Sequence, residues 1–250
     1  MSHDIIQISD DFWNIRGAFK VLGLLDVQTQ CSLVRLPSGA FVMLDSYGLE
    51  DEVRERVLAL TDGGKAVQAV VNLHPFHTLH VSAARTMFPD AKFYGTKRHH
   101  SECGDIGWEP EHPEDDGFGD RFESAFEFHV PAGVQLVTDD PHVHFSSVLA
   151  IHRPSGTLHV DDTLSWLPLP WGGRLHWHPT LGKALEPGPD AAGAFRRWAG
   201  LLAERCHDVK TVCTAHARMS DLQGEAPGVV AEKIRLATSR IEWKLRRHAG

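Results

Sequence analysis

Four short clusters of histidine and aspartate stand out among the 17 histidines of this 250-residue chain, and each could do chemistry. The densest is Asn72-Leu73-His74-Pro75-Phe76-His77-Thr78-Leu79-His80, with three imidazoles inside seven residues. Neutral imidazole is the commonest metal ligand, and three rings crowded together need a compensating partner. Pro75 keeps the chain extended after His74, while His77 and His80 fall three apart across a helix start. In the second cluster, Asp140 to Ser147, His142 and His144 would face the same side of a strand. The third, His159-Val160-Asp161-Asp162-Thr163, puts two acids at a strand terminus. The fourth, Val212 to His216, puts one histidine there. All four lie at or just past the carboxyl ends of expected strands, where α/β folds bind ligands.

The elements that must position these clusters are read from periodicity and breakers. Phe19–Leu25, Cys31–Leu36 and Ala40–Leu44 read as strands, the last two joined by a Pro37-Ser38-Gly39 turn. Leu49, Val53, Val57 and Leu60 recur at helical spacing until Gly63-Gly64 stops them. Ala69–Leu73 is apolar on both faces, as a covered central strand is. A helix from Leu79 to Phe88 follows, with Thr78 as its N-cap, and then a strand at Lys92–Tyr94. Ser101–Glu123, rich in Gly, Pro and acids, reads as a surface loop or lid. Strands return at Phe126–Val130, Val134–Thr138, His144–His152 and Thr157–Asp161. Trp166–Pro189 holds five prolines and four glycines and reads as a loop. A helix at Ala191–Cys206, a strand at Lys210–Thr214 and one last amphipathic helix from Val230 to Leu245 complete the chain. The order of strands, helix and strand repeats weakly in the two halves. An α/β chain of two sheet-and-helix layers packed face to face is expected, as a single domain over 1–250.

Composition bounds the function. Net charge is −8 with no long basic run, which excludes a nucleic-acid footprint. No stretch approaches the roughly 18 apolar residues of a membrane span. Cys31, Cys103, Cys206 and Cys213 form no CxxC pair, so free thiols in a reducing compartment are expected. The first residues carry acids where a signal peptide carries bases, and a cytoplasmic location is the expectation. Outside the clusters, His99, His100 and His112 read as exposed. Trp108 and Phe118 read as core anchors or a hydrophobic lid, and His176 and His178 as substrate contacts or loop packing.

Taken together and in this order, the four clusters resemble the metallo-β-lactamase superfamily over nearly the whole chain. Leu44-Asp45-Ser46-Tyr47-Gly48 resembles its early aspartate turn, and the His74–His80 segment its His-x-His-x-Asp-His loop. Val160-Asp161-Asp162-Thr163-Leu164 resembles its Gly-Asp-Thr-Leu turn, and His216 its late histidine. The resemblance implies a four-layer αββα sandwich. It also implies a metal held by His74, His77 and His142 or His144, and a second held by His80 and His216, with Asp162 bridging. Leu79 stands where the family has a metal-binding aspartate, which removes one anionic ligand from the second position. One or two zinc ions are implied, with iron or manganese as alternatives, and a small-molecule substrate: an ester, thioester, lactone or phosphoester. Metal-bound hydroxide would attack it while Asp162 helps position the reacting groups. A non-catalytic member, or a mononuclear iron redox variant, is the competing reading.

Overall fold

The computed structural model describes residues 4–18, 20–21, 25–26, 28–122, 125–140, 142–169, 173–216 and 219–249. The chain divides into two compact units, Met1–Glu127 and Phe128–Gly250.

The first unit carries strands β1 (Asp4–Ser9), β2 (Phe12–Gly17), the two-residue pair β3 (Lys20–Val21) and β4 (Leu25–Asp26), β5 (Thr29–Arg35), β6 (Phe41–Leu44), β7 (Val67–Asn72) and β8 (Lys92–Gly95). Six of them form one sheet in the order β1-β2-β5-β6-β7-β8. Pairing is antiparallel from β1 to β6 and parallel from β6 through β8. The change follows from the connections. Short turns suffice for antiparallel neighbours, whereas parallel ones need crossovers. Helices α1 (Asp51–Leu60) and α2 (Val81–Met87) supply these, burying Val53 and Val57, and Val81 and Ala84. Gly63 and Gly64, at φ +67° and +93°, turn the chain out of α1 as their spacing implied. Trp13, Ile15, Leu33, Met43, Val70, Phe88 and Phe93 share the unit's core.

Two expectations for this unit are corrected. α2 begins at Val81 with His80 as its N-cap, not at Leu79 with Thr78. An unforeseen helix, α3 (Lys97–Glu102), takes in the first two residues of the expected Ser101–Glu123 loop, and Phe118 further along that loop is buried as a core anchor. The expected strand Phe19–Leu25 lies in part outside the described residues.

The second sheet, in the order β15-β14-β11-β10-β9, is built from β9 (Phe126–His129), β10 (Leu149–His152), β11 (Thr157–Val160), β14 (Thr211–Thr214) and β15 (Ser220–Asp221). Strands β12 (Leu164–Leu167) and β13 (Arg174–Trp177) pair as a hairpin. Among the described residues, helices α4 (Leu181–Ala184), α5 (Ala191–Arg205), α6 (Val229–Arg240) and α7 (Glu242–Ala249) accompany them. Phe195 on α5 anchors this core, with its ring 5.1 Å from Trp177, 5.6 Å from Trp198 and 6.0 Å from Phe145.

Here the sequence reading misplaces several elements. The Pro- and Gly-rich Trp166–Pro189 stretch is not all loop. Its apolar positions form the β12–β13 hairpin and α4, and Gly173 lets the Trp166 ring lie directly on the backbone. Val134–Thr138 is no strand. Gly133, at φ +72°, brings this segment against the start of α5 so closely that a Cβ there would lie 2.1 Å from the Ala191 carbonyl oxygen. The last helix is two helices, parted at Ile241 where φ −101° and ψ 4° leave the helical range. No helix among the described residues is long and apolar enough to cross a membrane.

Candidate functional site

In the first unit the histidine loop leaves the end of β7 under tight backbone control. Asp45, just past β6, adopts φ +60°, and its Oδ1 accepts the Leu73 N–H at 2.7 Å. Asn72 Nδ2 donates to the Tyr94 carbonyl at 3.3 Å on the neighbouring strand. The loop therefore starts from a fixed point. His74 is fully buried, its Nδ1 accepts the Phe76 N–H at 3.2 Å, and its carbonyl accepts the His77 N–H at 2.9 Å. That compact turn stacks the two imidazoles, with centroids 4.0 Å apart and planes 16° from parallel.

His80 sits apart from this stack, edge-on to Tyr47 at 4.9 Å and over Gly48, where a Cβ would come within 3.1 Å of its Nδ1. Burial first, and the charge that His77 can carry second, lower its pKa from the ordinary value. Leu79 between them is 72% exposed and is not a core residue of the helix.

Three further histidines depart from their expected exposure. His99, on α3, is completely buried, and His100 and His112 are half-buried around Trp108. The His100 ring stacks on Trp108 at 5.2 Å, and His112 meets His100 edge-on at 4.4 Å.

In the second unit β11 and β14 run parallel, with Val160 opposite Thr214. Two residues beyond each lie Asp162 and His216, so the register alone carries both to the same sheet edge. Asp162 is buried and its Oδ1 stands 2.9 Å from Nε2 of the half-buried His216. The adjoining Thr163 accepts the Ser147 N–H at 2.8 Å and donates to the Phe145 carbonyl at 2.9 Å. These bonds occupy backbone groups that a strand ladder would use, which explains why β10 begins only at Leu149. His142 and His144 consequently do not share a strand face. His142 is exposed in a turn whose N–H bonds Asp140 Oδ1 at 2.9 Å, whereas half-buried His144 adjoins the segment tied to Thr163. His176 lies on β13, where burial lowers its pKa, and His178 Nδ1 is 2.7 Å from Thr180 Oγ1.

Two pairs therefore come together, His74 with His77 in one unit and Asp162 with His216 in the other. His142 does not join them. Imidazole nitrogens and one carboxylate are the borderline donors that zinc and non-haem iron accept.

Comparison with solved structures places this architecture. A metallo-β-lactamase from Erythrobacter litoralis matches with a TM-score of 0.63 and 12% identity, over 95% of this chain and 96% of that one. The FIM-1 enzyme from Pseudomonas aeruginosa, solved in a mono-zinc form, matches at 0.60 and 11% identity over 96% of each chain. A Hirschia baltica metallo-β-lactamase matches at 0.59 and 13%, over 95% and 98%. No protein-family model and no curated protein sequence matches the chain. At these identities the likeness concerns the fold, and the chain has the metallo-β-lactamase fold.

Proposed function

We propose that this chain, built on the metallo-β-lactamase fold, is a metal-dependent hydrolase of small esters, thioesters, lactones or phosphoesters. The observation that carries the reading is the buried Asp162 carboxylate, set 2.9 Å from His216 Nε2 by the β11–β14 register. His74, His77 and His144 would hold one zinc ion together with this carboxylate–imidazole pair. Bound there, zinc supplies Lewis acidity and lowers the pKa of a water to about 7. Asp162 would help position the attacking water beside the ion, as a ligating carboxylate can. His144 is preferred to His142 because Thr163 ties its segment to the residue after Asp162.

A single ion is favoured over two. Leu79 offers no donor, and His80 is turned against Tyr47 and Gly48. The test is zinc titration of Asp162→Ala, which should weaken binding at least about tenfold. Wild-type affinity in that variant would remove Asp162 from the ligand set. The cytoplasmic setting is part of the same proposal.

A further inference from the structure

The last two helices carry a charge opposite to that of the chain as a whole. Residues 229–250 hold six lysines and arginines against two glutamates, a net +4 in a chain whose total is −8. Half of these cations are used within the second unit. Lys233 Nζ donates to the Gly173 carbonyl at 2.9 Å, Lys244 Nζ to the Pro179 carbonyl at 3.4 Å, and Arg246 pairs with Glu242. Arg235, Arg240 and Arg247 remain, exposed and with no ion pair among the described residues.

Two large apolar side chains stand exposed in the same run. Leu236 is 43% exposed and Trp243 62%, although tryptophan carries one of the largest apolar surfaces that burial could remove from water. The junction at Ile241 does not scatter these residues. Ile241 N–H donates to the Thr238 carbonyl at 3.2 Å and Leu245 N–H to the Ile241 carbonyl at 3.2 Å, so the turn continues from α6 into α7. Leu236, Arg240, Trp243 and Arg247 then follow at spacings of four, three and four, which are neighbours on one helical face. Buried Val230, Ile234, Ala237 and Leu245 form the opposing stripe that joins the core.

We propose that the exposed α6–α7 stripe docks on an anionic lipid surface. Trp243 and Leu236 enter the headgroup boundary, and Arg235, Arg240 and Arg247 meet the negative headgroups. Cations interleaved with tryptophan and leucine on one face are the composition of helices that lie in a membrane interface. The contact is with the surface and is not a span. The negative total charge does not prevent it, because at physiological salt charges further off than about 8 Å are screened and the near face dominates. A second copy of the chain on this stripe would bring arginines together, and a nucleic acid gives Leu236 no apolar partner. The proposal uses no residue of the hydrolase site and stands apart from that reading.

Co-sedimentation of the full chain with vesicles decides it. The protein should bind vesicles of phosphatidylcholine with about one-third phosphatidylserine, bind pure phosphatidylcholine far more weakly, and come off at about 0.5 M salt. Each arginine near the surface contributes about fivefold to partitioning, so replacing Arg235, Arg240 and Arg247 together by Gln should cost about 100-fold. Anionic vesicles should also shift tryptophan emission to the blue, a shift that Trp243→Phe removes. These side chains are exposed, so the variants should melt with the wild type. Absent binding to anionic vesicles, equal binding to both vesicle types, or wild-type binding by the triple variant would overturn the proposal. Dimers that depend on Trp243, or retention of RNA, without vesicle binding would give the face to another occupant and overturn it equally.

Discussion

Leu79 sits between two histidines with 72% of its surface exposed, so a carboxylate placed there would meet water and not core. Leu79→Asp should therefore change stability by no more than about 0.5 kcal/mol, as surface substitutions do. If the missing acid is what limits a second metal position, zinc bound per chain should rise from near one toward two. Equilibrium dialysis checks this, and unchanged stoichiometry would show that Leu79 is not the limiting residue. At His99 the expected effect is on stability against pH. The unfolded ring titrates at its ordinary 6.5, and the folded ring at about 3. Between those values the unfolded chain binds a proton that the folded chain refuses. Stability is thus indifferent to this group above pH 6.5 and declines below it, by about 1.4 kcal/mol per pH unit. Denaturation of wild type and His99→Gln between pH 7 and 4 should show a shallower acid slope in the variant. Parallel slopes would contradict the assignment.

Among the elements, the turn after β11 has the widest reach. Thr163 bonds both Phe145 and Ser147, so the Asp162 turn and the His144 segment are one mechanical unit. Thr163→Val keeps the shape but leaves a buried N–H and a buried carbonyl without the hydroxyl. The cost should be about 1–3 kcal/mol in urea denaturation, with weaker zinc binding alongside it. A stability change below that range would mean that the segment is held by its neighbours instead. Helices and strands with clean apolar periods, such as α1, β7, α5 and β14, were legible from spacing because burial of one face dictates the pattern. The β12–β13 hairpin was not. Its prolines and glycines mark the turns, and their density hides two four-residue strands between them. The break at Ile241 was equally hidden, since apolar positions keep helical spacing across it.

For the whole molecule, the proposed zinc ion should act as a stabilising ligand. Free zinc at about 100 times its dissociation constant would contribute roughly 2.7 kcal/mol, lost on chelation. A melting temperature indifferent to chelator and to added zinc would argue that the histidines hold no ion. The order of the clusters and their places at strand ends were determined by the sequence, because residue type and local periodicity are properties of neighbouring positions. The tertiary structure alone decided which donors meet. His74 and His77 stack because a compact turn folds one ring over the other, and Asp162 finds His216 through a strand register between residues more than fifty positions apart. It also separated His142 from His144 and buried His99. Hydrogen bonds from Thr163 and close approach at Gly95 cause these outcomes, and the first depend on partners sixteen and eighteen positions away.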